Sequence, residues 1–529
     1  VSKPFYFARK RTGTVQTLIE ETAGQYPKYP FCDYVSDGKN VTKTYGDLMG
    51  DIRKIEAYLS ETGARRAGLV GATSYRWLSV FMACLHAGVV LVPLDSLLSD
   101  DDLLYQIGHA DIGILFCDQK FLSLSEKIGP DGLCKTFRLL DADGEGSLSY
   151  ETDRRAGAPS TAPPVLDKSE LAMIVYTSGT TGRPKGVMLS QENLLESAYY
   201  GYCVVDTPVG AHLLIILPNN HMFTIGHCFL TPLFFAADLC LNDSIFNTFA
   251  NIKKYRIDFI VAVPAVMRLF KNEIELQLRM AGYGPLETMD KIRRTLVSAA
   301  VKKKIGQNLQ SVVCGGAPLD PSFVHFFRLL GIQLQGGYGM TECAPLISCQ
   351  VKNHIDYDRA ASVGRPGVCC KVRIEDGEIL VSGTNVMMGY YKDPESTAEA
   401  LKDGWLRTGD LGRLDEEGFL YVTGRKKNLI ILSNGENVSP EELETLFDDS
   451  KNIDGVVVSA DDELDVITAE IHPAQKAVAE QGLEQTQALI RQEVKDKNQK
   501  LPIYKQIKLV VFRDEPFERT TTMKIKRPS

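Results

Sequence analysis

Hydrophobic positions along the chain fall into short β-like runs separated by segments of helical spacing. Residues 68–71 (Gly-Leu-Val-Gly) and 89–93 (Val-Val-Leu-Val-Pro) read as strands, and residues 75–87 between them repeat their apolar positions as a helix does. Residues 112–116 and 257–262 are further apolar runs of strand length. Strands alternating with helices predict an α/β fold built on largely parallel sheet. Two longer apolar stretches, 77–94 and 213–241, are broken by His86 and Pro93 and by Pro218, Asn219, His221, Pro232 and Asp238. A bilayer span wants about 20 cleanly apolar residues, so both read as buried helix or strand. Peripheral membrane contact stays open.

The pattern also divides the chain. Residues 156–168 form a Pro/Ala/Ser-rich connector, and residues 272–306 are charged, poor in β-branched residues and carry Lys302, Lys303 and Lys304 in a row. The latter read as helices inserted between two buried strands, the basic run being a solvated face. After Gly424 the texture changes. Ser439-Pro-Glu-Glu-Leu-Glu444 has the form of a helix start, with Ser as N-cap, Pro at the first helical position and acids in the first turn. Strand-like runs at 456–459, 466–471 and 509–512 and a helical stretch at 483–494 follow. The expectation is a large multi-layer α/β domain over 1–424 and a small α+β domain over 425–529.

Composition adds exclusions. With 44% hydrophobic and 24% charged residues, the chain can bury a core. Its 59 Lys+Arg against 67 Asp+Glu leave a net charge of −8, which argues against a general nucleic-acid binder. The 12 cysteines are scattered without zinc spacing, and the closest pair, Cys369–Cys370, is adjacent. A reduced, cytoplasmic setting is the simplest reading. The first residues, VSKPFYFARKRTG, contain no apolar signal-peptide core.

The candidate chemistry begins at Ile174-Val-Tyr-Thr-Ser-Gly-Thr-Thr-Gly-Arg-Pro-Lys-Gly186, where an apolar strand enters a loop of Gly, Ser and Thr and a second strand leaves it. Glycines let backbone N–H groups approach an anion, hydroxyls add donors, and Lys185 supplies a mobile positive charge for phosphate oxygens. Lys185 stands between Pro184 and Gly186, so this is not the GxxxxGK[ST] phosphate loop. Downstream, Gly315-Gly-Ala-Pro318 offers small residues against which a flat ring can lie. Gly336-Gly-Tyr-Gly-Met-Thr-Glu342 ends on an acid, so a dinucleotide GxGxxG fingerprint fails, while Glu342 offers the carboxylate oxygen that a hard cation takes. Asp410, in Gly404-Trp-Leu-Arg-Thr-Gly-Asp410, can accept two hydroxyls at once. Basic turns follow at Gly424-Arg-Lys-Lys-Asn-Leu-Ile430 and at Arg519-Thr-Thr-Thr-Met-Lys-Ile-Lys-Arg527.

Together, and in this order, these segments resemble the acyl-adenylate-forming superfamily, which includes acyl-CoA synthetases, nonribosomal-peptide adenylation domains and beetle luciferases. The resemblance runs from about residue 15 to the C-terminus. It implies ATP contacts from Thr177, Ser178, Gly179, Thr180, Thr181, Gly182 and Lys185. Further ATP contacts are implied for Gly316, Ala317, Pro318, Gly337, Tyr338, Gly339, Met340, Thr341, Asp410, Val422 and Arg425. Within this set Tyr338 stacks on adenine, Thr341 bonds the α-phosphate region, Asp410 takes the ribose hydroxyls, and Glu342 binds Mg²⁺. His221, Phe223, Gly336 and Gly337 are implied to line the acyl site, His221 as its gate. The two glycines are expected to leave open space there. Lys427 takes the hinge position, and Asn434, Gly435 and Glu436 line the coenzyme A channel. Lys524 aligns with the catalytic lysine, although Met523 replaces the usual Gly and Lys526 is a nearby competitor.

The implied reaction is ATP-dependent activation of a carboxylic acid, followed by transfer to coenzyme A. Phe223 stands where amino-acid-activating relatives carry an Asp, and a buried ammonium without a counter-charge is costly. The insertion at 272–306 and an extra residue in 431–435 resemble long-chain acyl-CoA synthetases. A medium- to long-chain fatty acid is therefore the expected substrate. An aryl or other carboxylic acid, an acyl carrier protein as acceptor, and an ATP-binding sensor without turnover remain alternatives.

Overall fold

A computed structural model describes residues 13–128, 134, 136–154, 163–177, 183–431, 437–461, 466–520 and 525–527. The sequence pattern translates directly into its first layer. Strand Arg66–Val70 pairs in parallel with both Val90–Pro93 and Ile114–Cys117, and these belong to a seven-stranded sheet. The helix between the first two, Tyr75–Ala87, starts on Ser74, whose hydroxyl accepts the Trp77 N–H, and stops at Gly88 with φ +71°. Eleven of its residues are buried, so it is an internal helix rather than a bilayer span. Among the described residues no helix is long and apolar enough to cross a membrane.

A nine-stranded sheet forms the second layer. Its parallel centre joins Gln333–Gly339, Ser311–Cys314, Phe259–Ala262, His212–Ile215 and Asp238–Leu241. Between Phe259–Ala262 and Ser311–Cys314 run helices Pro264–Met280 and Lys291–Ile305, as the charged insertion predicts. Lys303 and Lys304 are exposed, but Lys302 is half-buried with Nζ 3.5 Å from the Gly331 carbonyl. Burial lowers the Lys302 pKa, so the basic run is only partly a solvated face. Eleven of the 12 cysteines are buried and all are free thiols.

The smaller C-terminal domain has its own three-stranded sheet, Ile453–Asp461, Val466–Pro473 and Ile507–Phe512, covered by helix Leu483–Asn498. Ion pairs tie it to helix Pro264–Met280: Arg268 to Asp448, and Lys451 to Glu275 at 3.0 Å. Helix Pro440–Thr445 starts at Ser439 as expected, but the Ser439 hydroxyl does not cap it. It donates to the Glu441 carboxylate at 3.0 Å, a charge-assisted bond that holds it in that direction.

Candidate active site

The site forms where the two large sheets and a five-stranded sheet meet. Strand Leu171–Thr177 turns back antiparallel into Lys185–Ser190, with Thr177 opposite Lys185. The predicted anion loop connects these two antiparallel strands. Ser178, Gly179, Thr180, Thr181 and Gly182 lie outside the described residues. Lys185 Nζ donates to Ser396 Oγ at 2.7 Å and sits 5.1 Å from the Tyr390 ring centre. Tyr390 in turn donates its hydroxyl to Glu342 Oε1 at 2.9 Å.

Gly336-Gly-Tyr-Gly339 is the end of a strand, not a turn, and Thr341–Cys343 is the short helical turn that follows. The turn is pinned by the Met340 N–H, which donates to the Pro345 carbonyl at 2.9 Å. A Cβ at Gly339 would fall 1.9 Å from that carbonyl oxygen, so only glycine fits. Glu342 is thereby held in a buried position. Burial pushes its carboxyl pKa up, opposed by hydrogen bonds from its own backbone and from Tyr390 and by the charge of Arg425. Among the described residues no Lys or Arg pairs directly with it. A buried carboxylate short of positive charge fits Mg²⁺, which takes one or two carboxylates and completes its shell with water and phosphate oxygens.

Asp410, almost fully buried on strand Trp405–Leu414, joins two other predicted residues. Tyr338 donates its hydroxyl to Asp410 Oδ2 at 2.7 Å, and Arg425 Nε lies 2.8 Å from Oδ1. An ionised carboxylate has about four acceptor positions, so two remain for sugar hydroxyls. Val422 lies opposite Gly412 on the neighbouring strand Leu420–Arg425.

Gly315-Gly-Ala-Pro318 leaves strand Ser311–Cys314, with Gly316 at φ +82°. A Cβ on Gly315 would lie 3.1 Å from the Gly337 carbonyl and 3.4 Å from the Phe223 ring, so three predicted segments touch at this point. His221 precedes the short helix Met222–Thr224, and its carbonyl accepts the Ile225 N–H at 2.9 Å. The expectation of open space beside Gly336 and Gly337 is not met. A Cβ on Gly336 would touch the Ser362 carbonyl, Gln350 and Leu319 at 3.5–3.8 Å, and one on Gly337 would meet Cys349 Sγ at 3.4 Å. Gly336 packs against loop residues Leu319, Gln350 and Ser362, and Gly337 against the neighbouring strand Leu346–Cys349, which fills the space.

Lys427 sits in a short helical turn, Lys426–Asn428, between the domains. Burial lowers its pKa first, then the nearby Arg425. Lys426 beside it pairs with buried Glu378 at 3.1 Å. Asn434, Gly435, Glu436 and Lys524 lie outside the described residues. Arg527, three positions after Lys524, forms two 2.7 Å hydrogen bonds to Glu444, and Arg519 pairs with Asp454. Tyr390, Ser396 and Glu378 were not among the sequence candidates. None sits in a recognisable motif, and only their partners mark them.

Residues 19–391 match the family of AMP-binding enzymes. The chain belongs to that family. Residues 427–529 match the AMP-binding enzyme C-terminal domain. A long-chain-fatty-acid–CoA ligase of Mycobacterium bovis is 28% identical over 480 residues, 84% of this chain and 79% of that protein. An indoleacetate–CoA ligase of Aromatoleum aromaticum is 30% identical over 433 residues, 78% of this chain and 79% of that protein. Among solved structures, a fatty acyl CoA synthetase of Mycobacterium tuberculosis superposes with a TM-score of 0.68 at 22% identity, covering 97% of this chain and 96% of its own. An anthranilate CoA ligase in complex with anthranoyl-AMP gives 0.80 at 18% identity, covering 98% and 96%. These likenesses establish the adenylate-forming fold of this AMP-binding enzyme, with its large N-terminal α/β domain and smaller C-terminal domain.

Proposed function

We propose that this AMP-binding enzyme activates a medium- to long-chain fatty acid as its acyl-adenylate and then transfers the acyl group to coenzyme A. The observation that carries the reading is the convergence of Tyr338, Asp410 and Arg425 in one hydrogen-bonded cluster. Arg425 and Asp410 are close enough to shift the Glu342 carboxyl, which Tyr390 links to Lys185. An aromatic ring, a carboxylate with free acceptor positions, a buried acid and two cations suit adenine, ribose and phosphates in turn.

In the first step a carboxylate oxygen of the fatty acid bonds to the α-phosphorus, and the bond to the pyrophosphate oxygen breaks. An anion must approach a polyanion, so the barrier is chiefly electrostatic. Lys185 and Arg425 offset phosphate charge, and Lys524 holds the carboxylate and α-phosphate together. Mg²⁺, held by Glu342, supplies further charge neutralisation when bound. In the second step the thiol sulfur bonds to the acyl carbon, the thiol proton leaves to solvent, and AMP departs. His221 and Phe223 position the acid, and Asn434, Gly435 and Glu436 admit the pantetheine arm.

The small domain begins after Gly424 and pivots about Lys427 between the steps. The bonds from Arg519 and Arg527 to acids of the same domain support Lys524 moving with it as a unit. Twelve free thiols support a reducing, cytoplasmic setting.

An aryl acid is the second reading, favoured by the likeness to the indoleacetate–CoA ligase. The test is kcat/KM along a fatty-acid series at fixed ATP and coenzyme A. Each buried methylene contributes about 0.8 kcal/mol, or roughly fourfold, until the acyl site is full. A maximum at acetate or at an aryl acid would refute the fatty-acid reading.

A further inference from the structure

Away from the adenylation site, the nine-stranded sheet brings four metal-binding side chains of three types to one face. Asp238 and Cys240 are two apart on strand Asp238–Leu241, so their side chains point the same way. In the parallel register His212 pairs with Asp238, and Asp33, on strand Pro30–Ser36, pairs with Cys240. One ligand atom from each of Asp33, Asp238 and Cys240 lies within 4.8 Å of the other two. Asp238 Oδ2 is 3.7 Å from Cys240 Sγ and 3.8 Å from His212 Nε2. Ligand atoms on a tetrahedral ion with bonds of about 2.0–2.3 Å stand roughly 3.3–3.6 Å apart, so the two Asp238 distances are close to a bound geometry, while His212, which lies outside the 4.8 Å group, has to swing toward Asp33 and Cys240 to complete it.

Four further observations point to a bound cation. The Asp238 side chain is only 2% exposed, and apart from the Asp33 carboxyl beside it, its Oδ1 has no hydrogen-bond partner among the described residues. Asp258 Oδ2 lies 3.4 Å from His212 Nδ1 and also accepts the His212 backbone N–H at 2.9 Å. A carboxylate beside Nδ1 favours a proton there, so the nitrogen that gives up its proton to a metal is Nε2, on the side facing Asp238. The Thr42 hydroxyl donates to Asp33 and orients that carboxylate in the same manner. Finally, a cleft of about 280 Å³ reaches Asp33, Thr42 and His212, with Lys254 and Arg256 also on its wall and Asp238 and Cys240 behind it.

We propose that Asp33, His212, Asp238 and Cys240 form a structural site for a borderline divalent metal ion of the zinc class. Sulfur and imidazole beside two carboxylates disfavour Mg²⁺ and Ca²⁺, which take oxygen alone. Binding converts the Cys240 thiol to thiolate, its proton passing to solvent. The ion would staple three strands: Pro30–Ser36, Asp238–Leu241 and His212–Ile215.

The test uses the full chain, stripped with a chelator and titrated with Co²⁺ and then Zn²⁺. The proposal predicts a single Co²⁺ equivalent with a sulfur-to-cobalt charge-transfer band, displaced by Zn²⁺ with a rise in Tm. Cys240→Ser should lose that band. His212→Gln, at a partly exposed position where folding is under less strain, should weaken Zn²⁺ binding. Asp258→Asn, which only positions the imidazole, should weaken it by about 10–100-fold. A wild-type chain with no cobalt band and no Zn²⁺-dependent Tm shift overturns the proposal, and a protonated His212 then serves as the counter-ion for the acids. The same band in Cys240→Ser and in wild type also overturns it, by placing the metal elsewhere.

Discussion

Replacing Gly339 by alanine sets one methyl group against the turn that carries Thr341 and Glu342. An ideal Cβ there falls 1.9 Å from the Pro345 carbonyl oxygen and 2.9 Å from the carbonyl carbon. A close carbon–oxygen contact is about 3.3–3.6 Å, so the two segments must part by roughly 1.4 Å or more. The same carbonyl accepts the Met340 N–H at 2.9 Å, and parting breaks that bond. Leaving a buried backbone group unpaired costs about 1–3 kcal/mol, and overpacking typically adds about 1–3 kcal/mol. The combined loss is about 2–6 kcal/mol. Glu342 lies in the turn that moves, and a displacement near 1 Å at a reacting centre costs about 10²-fold in rate. Gly339→Ala should therefore lower Tm and reduce kcat/KM for ATP about 100-fold in a pyrophosphate-release assay. Gly336→Ala is the stability control, because its Cβ meets neighbours at ordinary contact distances of 3.5–3.8 Å and should leave Tm nearly unchanged. A Gly339→Ala chain with wild-type Tm and wild-type kcat/KM would refute the reasoning.

Three other outcomes are expected. Lys524→Ala abolishes pyrophosphate release but spares thioester formation from supplied acyl-adenylate; equal loss of both half-reactions would count against separate roles. Lys427→Pro fixes φ near −65°, so adenylate still forms while thioester formation collapses, and normal overall turnover would remove Lys427 as the hinge. Tyr390→Phe deletes a hydrogen bond that lowers the Glu342 pKa, so the carboxyl protonates at a higher pH than in the wild type. The acidic limb of the pH profile of kcat/KM for ATP then moves to higher pH, and an unmoved limb would show that Glu342 does not control it.

The layered fold was legible because its signals are local. Helix Tyr75–Ala87 carries its apolar periodicity, its Ser74 cap and its Gly88 stop within a short stretch of sequence. The charged helices after Phe259–Ala262 and the strands of the C-terminal domain were equally local. What escaped depends on pairing at a distance. Ser396 meets Lys185 across 211 positions, and Tyr390 meets Glu342 across 48, with no motif to flag either partner. Ser439 has the composition of a cap, but its hydroxyl is turned to the Glu441 carboxylate and accepts no helix N–H. Gly336 and Gly337 read as space because glycine lacks a side chain, whereas neighbouring loops and one strand close in to fill it. The Asp33, His212, Asp238 and Cys240 cluster comes from three strands whose register no single stretch of sequence encodes.

The most direct test of the central claim is to mix the full chain with ATP, Mg²⁺ and a long-chain fatty acid in the absence of coenzyme A and to quantify pyrophosphate and acyl-AMP. The account predicts a burst of both, close to one equivalent of enzyme, and then sustained acyl-CoA and AMP formation once coenzyme A is added. Pyrophosphate release that does not depend on the acid, or acyl-CoA formed with ADP and phosphate as the nucleotide products, would contradict it.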